Sequence, residues 1–401
     1  MSRCITLYLH MHQPLRVRRF TIFEANDKSD YFSSSADDDT NNLKVLSKVV
    51  EKSYRPTLNL LIELLQVHPE FKLSLSITGT LIDQLEANFP EIIELLKSLV
   101  QTERVEIVAE TYHHSLAFFY NRQEFESQVT MHKNKIKNLF NFTPTAFRNT
   151  ELAYNNNLGS WAEENGFRAI LAEGWDPVLG WRSPNFVYRP PETHNIRLLL
   201  KNYRLSDDIA FRFGDKNWSG WPMTVEKFVT WANAGEGSNI NLFMDFETFG
   251  EHQWQDTGIF EFLRALPSEW LKTAGNDFET ISGLAASQTP VDNIDMPNTV
   301  TWADTERDLS AWLGNPMQRQ AINSIYELAQ PILQTDDLEL IENWRRLQTS
   351  DHFYYMCTKW FNDGDIHAYF SPYANPYDAF INFMNCYHSL RANLIKRGVQ
   401  L

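Results

Sequence analysis

Nowhere in this chain of 401 residues does an apolar stretch approach the ~20 residues that a membrane-spanning helix needs. Cysteine is nearly absent too. Cys4, Cys357 and Cys386 are odd in number and widely spaced, which argues against a disulfide framework and fits a reducing compartment. The first ten residues, Met1 to His10, enter a strand pattern directly, with no apolar signal core and no small-residue cleavage site. These absences predict a cytoplasmic protein without a membrane partner. Basic charge is also short, with 36 Lys and Arg against 51 Asp and Glu, a net charge of −15. Such a surface repels phosphate backbones, so nucleic acid is not an expected partner, whereas a neutral substrate is indifferent to it. No internal repeat stands out.

What the chain has in quantity is apolar and aromatic mass. Hydrophobic residues make up 43%, enough for one large α/β domain and a smaller one. Aromatics make up 13%, with 12 Trp. Aromatic rings fill cores, and they also stack on the apolar faces of sugars. Composition leaves both uses open.

Strand-like and helix-like segments alternate over the first two-thirds. Strands are expected at Ile5–Leu9, Phe71–Thr78, Val105–Ala109, Thr145–Arg148, Ala169–Ala172, Ile196–Leu200 and Asn239–Phe243, with helical patterns at 43–66, 81–99, 124–140, 158–165 and 225–234. About seven strands with helical crossovers predict a parallel barrel. Residues 26–42 are polar and rich in Ser and Asp, and read as a flexible excursion. Strand patterns fade after about residue 270, and 306–398 reads as mostly helical. The expected division is a (β/α) barrel over 1–270 and a helical region over 271–401.

Acids and histidines recur just after the strands: His10 and His12, Glu110 and His113, Glu151, Glu173 and Asp176, Asp245 and Glu247. In a parallel barrel all those ends open on one face, so residues distant in sequence converge there. The run Met244-Asp-Phe-Glu-Thr-Phe-Gly-Glu-His252 is the densest case. An unpaired charge at a core boundary is costly, so a buried strand that ends on an acid points to a function or to an ion pair. Glu151 and Asp245, each after a strand, are the pair that glycosidic cleavage requires: one carboxyl attacks or stabilises the anomeric carbon and the other protonates the leaving oxygen. His10 and His12 alternate on one strand face, where they can donate to sugar hydroxyls or bind a divalent metal. The second use defines a competing reading, a metal-dependent amide or ester hydrolase.

These residues resemble glycoside hydrolase family 57, the group of α-amylases and 4-α-glucanotransferases. The matching segments occur in order: His10-Met-His12-Gln13-Pro14; Val105-Glu106-Ile107 with Thr111-Tyr-His-His; Phe147-Arg-Asn-Thr-Glu151-Leu152; Asp245-Phe-Glu247-Thr-Phe249-Gly250; and, most loosely, Asp308-Leu-Ser-Ala-Trp312-Leu-Gly-Asn315. In the second segment Glu103-Arg104 stands where the family often has Gly-Gln or Gly-Arg. The resemblance implies an incomplete seven-stranded (β/α) barrel with a helical region completing the cleft, no metal and no cofactor. It implies a retaining mechanism on α-1,4-glucan or maltooligosaccharides, with Glu151 as nucleophile and Asp245 as general acid/base. His10, His12, Glu106, Trp221, Glu247, Asp308 and Trp312 become substrate-binding candidates, and Trp175, Trp181 and Trp302 further stacking candidates. A protonated acid requires a raised Asp245 pKa, which Glu247 would promote, and a low Glu151 pKa, which Arg148 would promote. Branching enzymes of the family are generally longer, so the length argues against branching. A catalytically silent glycan-binding relative and a galactosidase stay open.

Overall fold

The computed structural model describes residues 3–25, 29–33, 38–359 and 366–400. The polar excursion expected at 26–42 lies partly outside them. Its described part is anchored: Tyr31 is fully buried and its hydroxyl donates to Ser389 Oγ (2.9 Å).

The described residues form nine strands: β1 Arg3–Met11, β2 Leu73–Ile77, β3 Val105–Ile107, β4 Ala146–Phe147, β5 Ala169–Glu173, β6 Val187–Tyr188, β7 Arg197–Lys201, β8 Asn239–Asp245 and β9 Asn276–Phe278. One parallel sheet runs β3-β2-β1-β8, with β9 also on β1; the other runs β4-β5-β7, with β6 antiparallel to β7. The two sheets meet on both sides. On one, Ala109 and Phe147 form a parallel bridge, with Ala109 N–H donating to Ala146 O and Arg148 N–H to Ala109 O, both 2.9 Å. On the other there is no ladder. Asn202 N–H donates to Asn241 O (2.9 Å), and the Asn241 side chain donates to Leu200 O (2.8 Å). Seven parallel strands thus follow one another in a ring with one seam held largely by side chains, the incomplete (β/α) barrel that the strand count predicts.

Periodicity explains how the ring is filled. On β1, Ile5, Leu7, Leu9 and Met11 pack outward under the helices, alongside Leu58, Leu61 and Leu85. The alternate residues point into the lumen beside their partners on the neighbouring strand β8: Thr6 with Asn241, Tyr8 with Phe243, His10 with Asp245. Tyr8 and Phe243 meet edge to face at 5.5 Å and form the apolar middle layer with Val108, Ala146, Leu171 and Leu199. Ile281, Leu284 and Ala285, from the helix Ile281–Ser287, plug the lower end of that layer. The layer above holds His10 and Asp245, and it is polar.

The helices follow the breakers read from sequence. The pattern at 43–66 splits into Asn42–Val49, a π turn at Val50–Tyr54, and Arg55–Val67 with Pro56 in its first turn, where its missing N–H costs nothing. Pro90 likewise opens Pro90–Val100 after Gly79–Asn88. Strands β6 and β9 were not anticipated, since runs of two and three residues carry no period.

Candidate active site

A cavity of 570 Å³ opens above the Tyr8–Phe243 layer. Its walls come from strand ends: His10 at the end of β1 and His12 just after it, His114 after β3, Glu151 after β4, Lys201 closing β7, Asp245 closing β8. The C-terminal third adds Trp302, Asp304, Arg307, Trp312, Asp351 and Tyr354.

Glu151 sits in a 3-10 turn, Thr150–Leu152, with φ 58° and ψ 25°. A left-handed glutamate is strained by about 1–3 kcal/mol. The turn is held by Asn149, whose side chain donates to Ala153 O (3.0 Å), and by a Thr111–Thr150 hydroxyl pair (2.8 Å). Three donors converge on its carboxylate. His114 Nε2 lies 3.2 Å and Ser350 Oγ 2.8 Å from Oε1, and Trp302 Nε1 lies 3.1 Å from Oε2. Burial pushes this carboxyl up, but the His114 hydrogen bond and charge, helped by Arg148, bring it below its ordinary value. Glu151 is therefore an anion at neutral pH, as the sequence predicts.

Asp245 and Glu247 divide differently from expectation. Burial raises Asp245, but His10, whose Nδ1 is 3.7 Å away, together with the charges of His252 and Arg148, lowers it below the usual range. Glu247 leaves the strand, enters the 3-10 turn Phe246–Thr248, and accepts a short hydrogen bond from the Tyr54 hydroxyl. Burial first, then the Asp245 charge, pushes Glu247 up to about 8. Without a bound sugar the proton at neutral pH resides on Glu247, not on Asp245, the reverse of the expected assignment. The cause is position: the Asp245 side chain is 37% exposed and faces histidines, while Glu247 is buried against a phenol. The turn after Glu247 needs a glycine, because Gly250 has φ 106° and a Cβ there would strike the Lys52 carbonyl.

The histidines form a stack. His10 and His12 do share a face, with ring centroids 6.0 Å apart, and His114 lies 5.0 Å from His10 and 4.1 Å from His12. Burial and the His114 charge lower His12 to about 4, so it is neutral. Burial opposes charge on His114 as well, but its bonds to Glu110 and Glu151 outweigh that and raise it to about 9. Two sets of possible ligand atoms lie within 4.8 Å of one another: His10, Glu110 and His114, and His12, His114 and Asp351. In the first, Arg148 Nη1 stands 3.3 to 3.5 Å from all three, where a metal cation would face a buried guanidinium. In the second, His12 commits Nδ1 to Thr78 (2.9 Å) and Nε2 to Asp351 (3.0 Å), and His114 commits Nε2 to Glu151. Both sets are hydrogen-bonded networks, and the buried guanidinium disfavours a cation at the first.

Of the other expected binding residues, Trp312 lines the cavity, fully buried. Three do not reach it. Glu106 points into the closed end of the ring, where its carboxylate takes Ser74 Oγ (3.0 Å) and the Ser282 backbone N–H (3.0 Å). Trp221 is 43% exposed beside Pro222 and outside the cavity. Asp308 is exposed and accepts from Ser310 N–H (2.8 Å) to shape its own loop. Trp181 is 90% exposed and Trp175 packs on the core, also away from the cavity. Sequence reasoning missed Ser350, Asp351 and Tyr354, which lie in or at the helix Ser350–Tyr354 and were read only as part of a helical tail. It named Trp302 for stacking, whereas its indole N–H holds Glu151.

Comparison with known proteins narrows the reading. The family model described as glycosyl hydrolase family 57 matches residues 6–297. A protein of Methanocaldococcus jannaschii that carries a provisional alpha-amylase name is 40% identical over 393 residues, 95% of this chain and 82% of that protein. The solved branching enzyme of Thermococcus kodakaraensis superposes with TM-score 0.68 at 14% identity, covering 92% of this chain and 88% of that one. The solved 4-alpha-glucanotransferase of Thermococcus litoralis gives TM-score 0.59 at 16% identity, over 92% of this chain but only 54% of that one. At such identities the structural likeness establishes the fold alone. No helix among the described residues is long and apolar enough to cross a membrane.

Proposed function

The chain belongs to glycosyl hydrolase family 57, and on that premise we propose that it cleaves α-1,4-glucan or maltooligosaccharides with retention, Glu151 acting as nucleophile and Asp245 as general acid/base. The observation that supports this most is that both carboxylates line one cavity, with Glu151 held ionised by three donors. An ionised carboxylate attacks the anomeric carbon and forms a glycosyl-enzyme; Asp245 protonates the departing oxygen, then takes a proton from the incoming water or sugar hydroxyl. Asp245 must be protonated for the first step. A glucan filling the cavity removes water from its exposed edge, which raises its pKa, and Glu247 is a protonated neighbour at neutral pH. The expected barrel region, 1–270, carries the two acids; the chain beyond it adds β9 and the helix Ile281–Ser287 to the ring, and Trp302, Trp312, Ser350 and Asp351 to the cleft.

The stereochemistry of the first product tests this reading. Proton NMR of maltooligosaccharide digests should show the α-anomer before mutarotation; a β-anomer would mean inversion and a different role for Glu151. The lengths of the same products separate hydrolysis from transfer. Absence of any turnover on α-glucans would favour a glycan-binding role or another sugar.

A further inference from the structure

Glu110 is a fully buried carboxylate that the glycosidic mechanism does not use. It lies below the cavity floor and touches no cavity space, yet its Oε2 is where two histidine chains end. On one side it is 3.5 Å from His114 Nδ1, and His114 Nε2 is 3.2 Å from Glu151. On the other it is 3.1 Å from His10 Nε2, and His10 Nδ1 faces Asp245 at 3.7 Å. One buried oxygen is thus a single imidazole away from each of the two acids assigned above.

Packing alone does not call for this arrangement. Arg148, also fully buried, approaches the same oxygen at 3.5 Å, while Glu110 Oε1 and Arg148 Nε and Nη2 have no hydrogen-bond partner among the described residues. Half-satisfied buried charges cost stability, and folds keep them where the charge is used. The groups around the network are Tyr8 and His10 from β1, His12 just after it, His114 after β3, His132 from the helix Arg122–Phe140, Arg148 after β4, and Asp351, Tyr354 and Tyr355 from the C-terminal third. His10, His114 and Arg148 stand close to Glu110, and their hydrogen bonds and charge hold it well below the usual carboxylate range against the opposing effect of burial. Glu110 is therefore an anion wherever the protein is folded and near neutral pH.

We propose that Glu110 is a positioning residue for both reacting carboxylates: it keeps His114 protonated and aimed at Glu151, and it binds His10 through Nε2 so that Nδ1 is the nitrogen presented to Asp245. The inference rests on the assignment of Glu151 and Asp245 given above. The imidazolium at His114 is what allows a buried Glu151 to remain a carboxylate, and His114 stays charged up to about pH 9. Without Glu110, one of its two acceptors is lost, the proton leaves at lower pH, and the Glu151 carboxyl rises.

The test is Glu110→Gln, which keeps the shape and removes the charge. Expected is an upward shift of the acid limb of kcat/KM against pH by about one unit or more, with kcat falling more than KM changes. A profile scaled down at an unmoved limb would reduce Glu110 to a structural role and overturn the proposal. Where the variant does not fold, nitrogen NMR of ring-labelled wild-type enzyme decides. His114 protonated on both nitrogens at neutral pH, with His10 protonated at Nε2, supports the proposal; a neutral His114 ring, or a His10 protonated at Nδ1 alone, overturns it. The NMR readout needs no turnover, so it stands apart from the anomer and product-length assays that test the glycosidase reading itself.

Discussion

Glu106 and Glu110 are both buried after or within the same short strand, four residues apart, and they face opposite ends of the ring. Glu106 looks into the closed end. It is met by the hydroxyls of Ser74 and Ser282 and the Ser282 backbone amide, with no cation close by, and burial leaves its pKa raised. Glu110 looks toward the open end and is met by two histidines and an arginine, which lower it. The two ends use the same residue type for different purposes. Below the Tyr8–Phe243 layer, burial outweighs the neutral donors of Ser74 and Ser282 and leaves Glu106 raised, a carboxyl that serves as structural glue. Cations that enforce ionisation serve the cavity above it.

That contrast predicts large kinetic effects above the layer and small ones below it. The largest is at the two acids: Glu151→Gln should lower kcat by on the order of 10⁴-fold or more, and Asp245→Asn by roughly 10²–10⁴-fold, measured on a maltooligosaccharide. A Glu151→Gln enzyme that keeps its rate would break the comparison at its open end. Next is Trp302→Phe, which keeps the ring and removes one donor to an ionised Glu151. A hydrogen bond to a charged group contributes about 1.5–3 kcal/mol, so kcat should fall about tenfold or more and the acid limb should rise.

Glu247 tests whether burial can outweigh location, since it lines the cavity but is met by a phenol rather than a cation. Its folded pKa, about 8, lies above the ordinary value of 4.5. The neutral form is favoured by folding, so its contribution is full at low pH and is lost as pH rises between those two values. Glu247→Gln should flatten the decline of unfolding free energy over that window, by up to roughly 1.4 kcal/mol per pH unit, in urea titrations. At neutral pH its kcat should stay within about tenfold of wild type. The smallest kinetic effect belongs to Glu106→Gln. Activity and both pH limbs should hold within about twofold, while stability falls by about 1–3 kcal/mol as one of the two oxygens that accept from Ser74 and Ser282 becomes an amide NH2. A shifted limb in that variant would show that the two ends communicate.

Several of these distinctions could not be read along the chain. The alternation on β1 and the apolar run of β8 made the strands and their polar ends plain, and Pro56 and Pro90 marked helix starts. Glu151, Asp245, His10 and His12 were found because strand ends of a parallel barrel converge. Glu106 and Trp221 were misplaced, because a motif position does not say which face of a strand or which side of a loop a residue occupies. Ser350 and Asp351 carry no local signal: their part in the site depends on a contact with Glu151 and His12 across about two hundred residues or more.

The sequence by itself determined the strand and helix order and the polarity of the strand ends, and it singled out the two acids proposed above, since these depend on local period and on matched segments. Only the tertiary structure decided the charges. It put the resting proton on Glu247 rather than Asp245, made His114 a cation beside a neutral His12, and turned Glu110 into the anion between both acids. Burial and neighbouring charge set a pKa through space, over a few ångströms, and neighbours at that range come from β1, β3, β4 and β8 and from the C-terminal third of the chain at once.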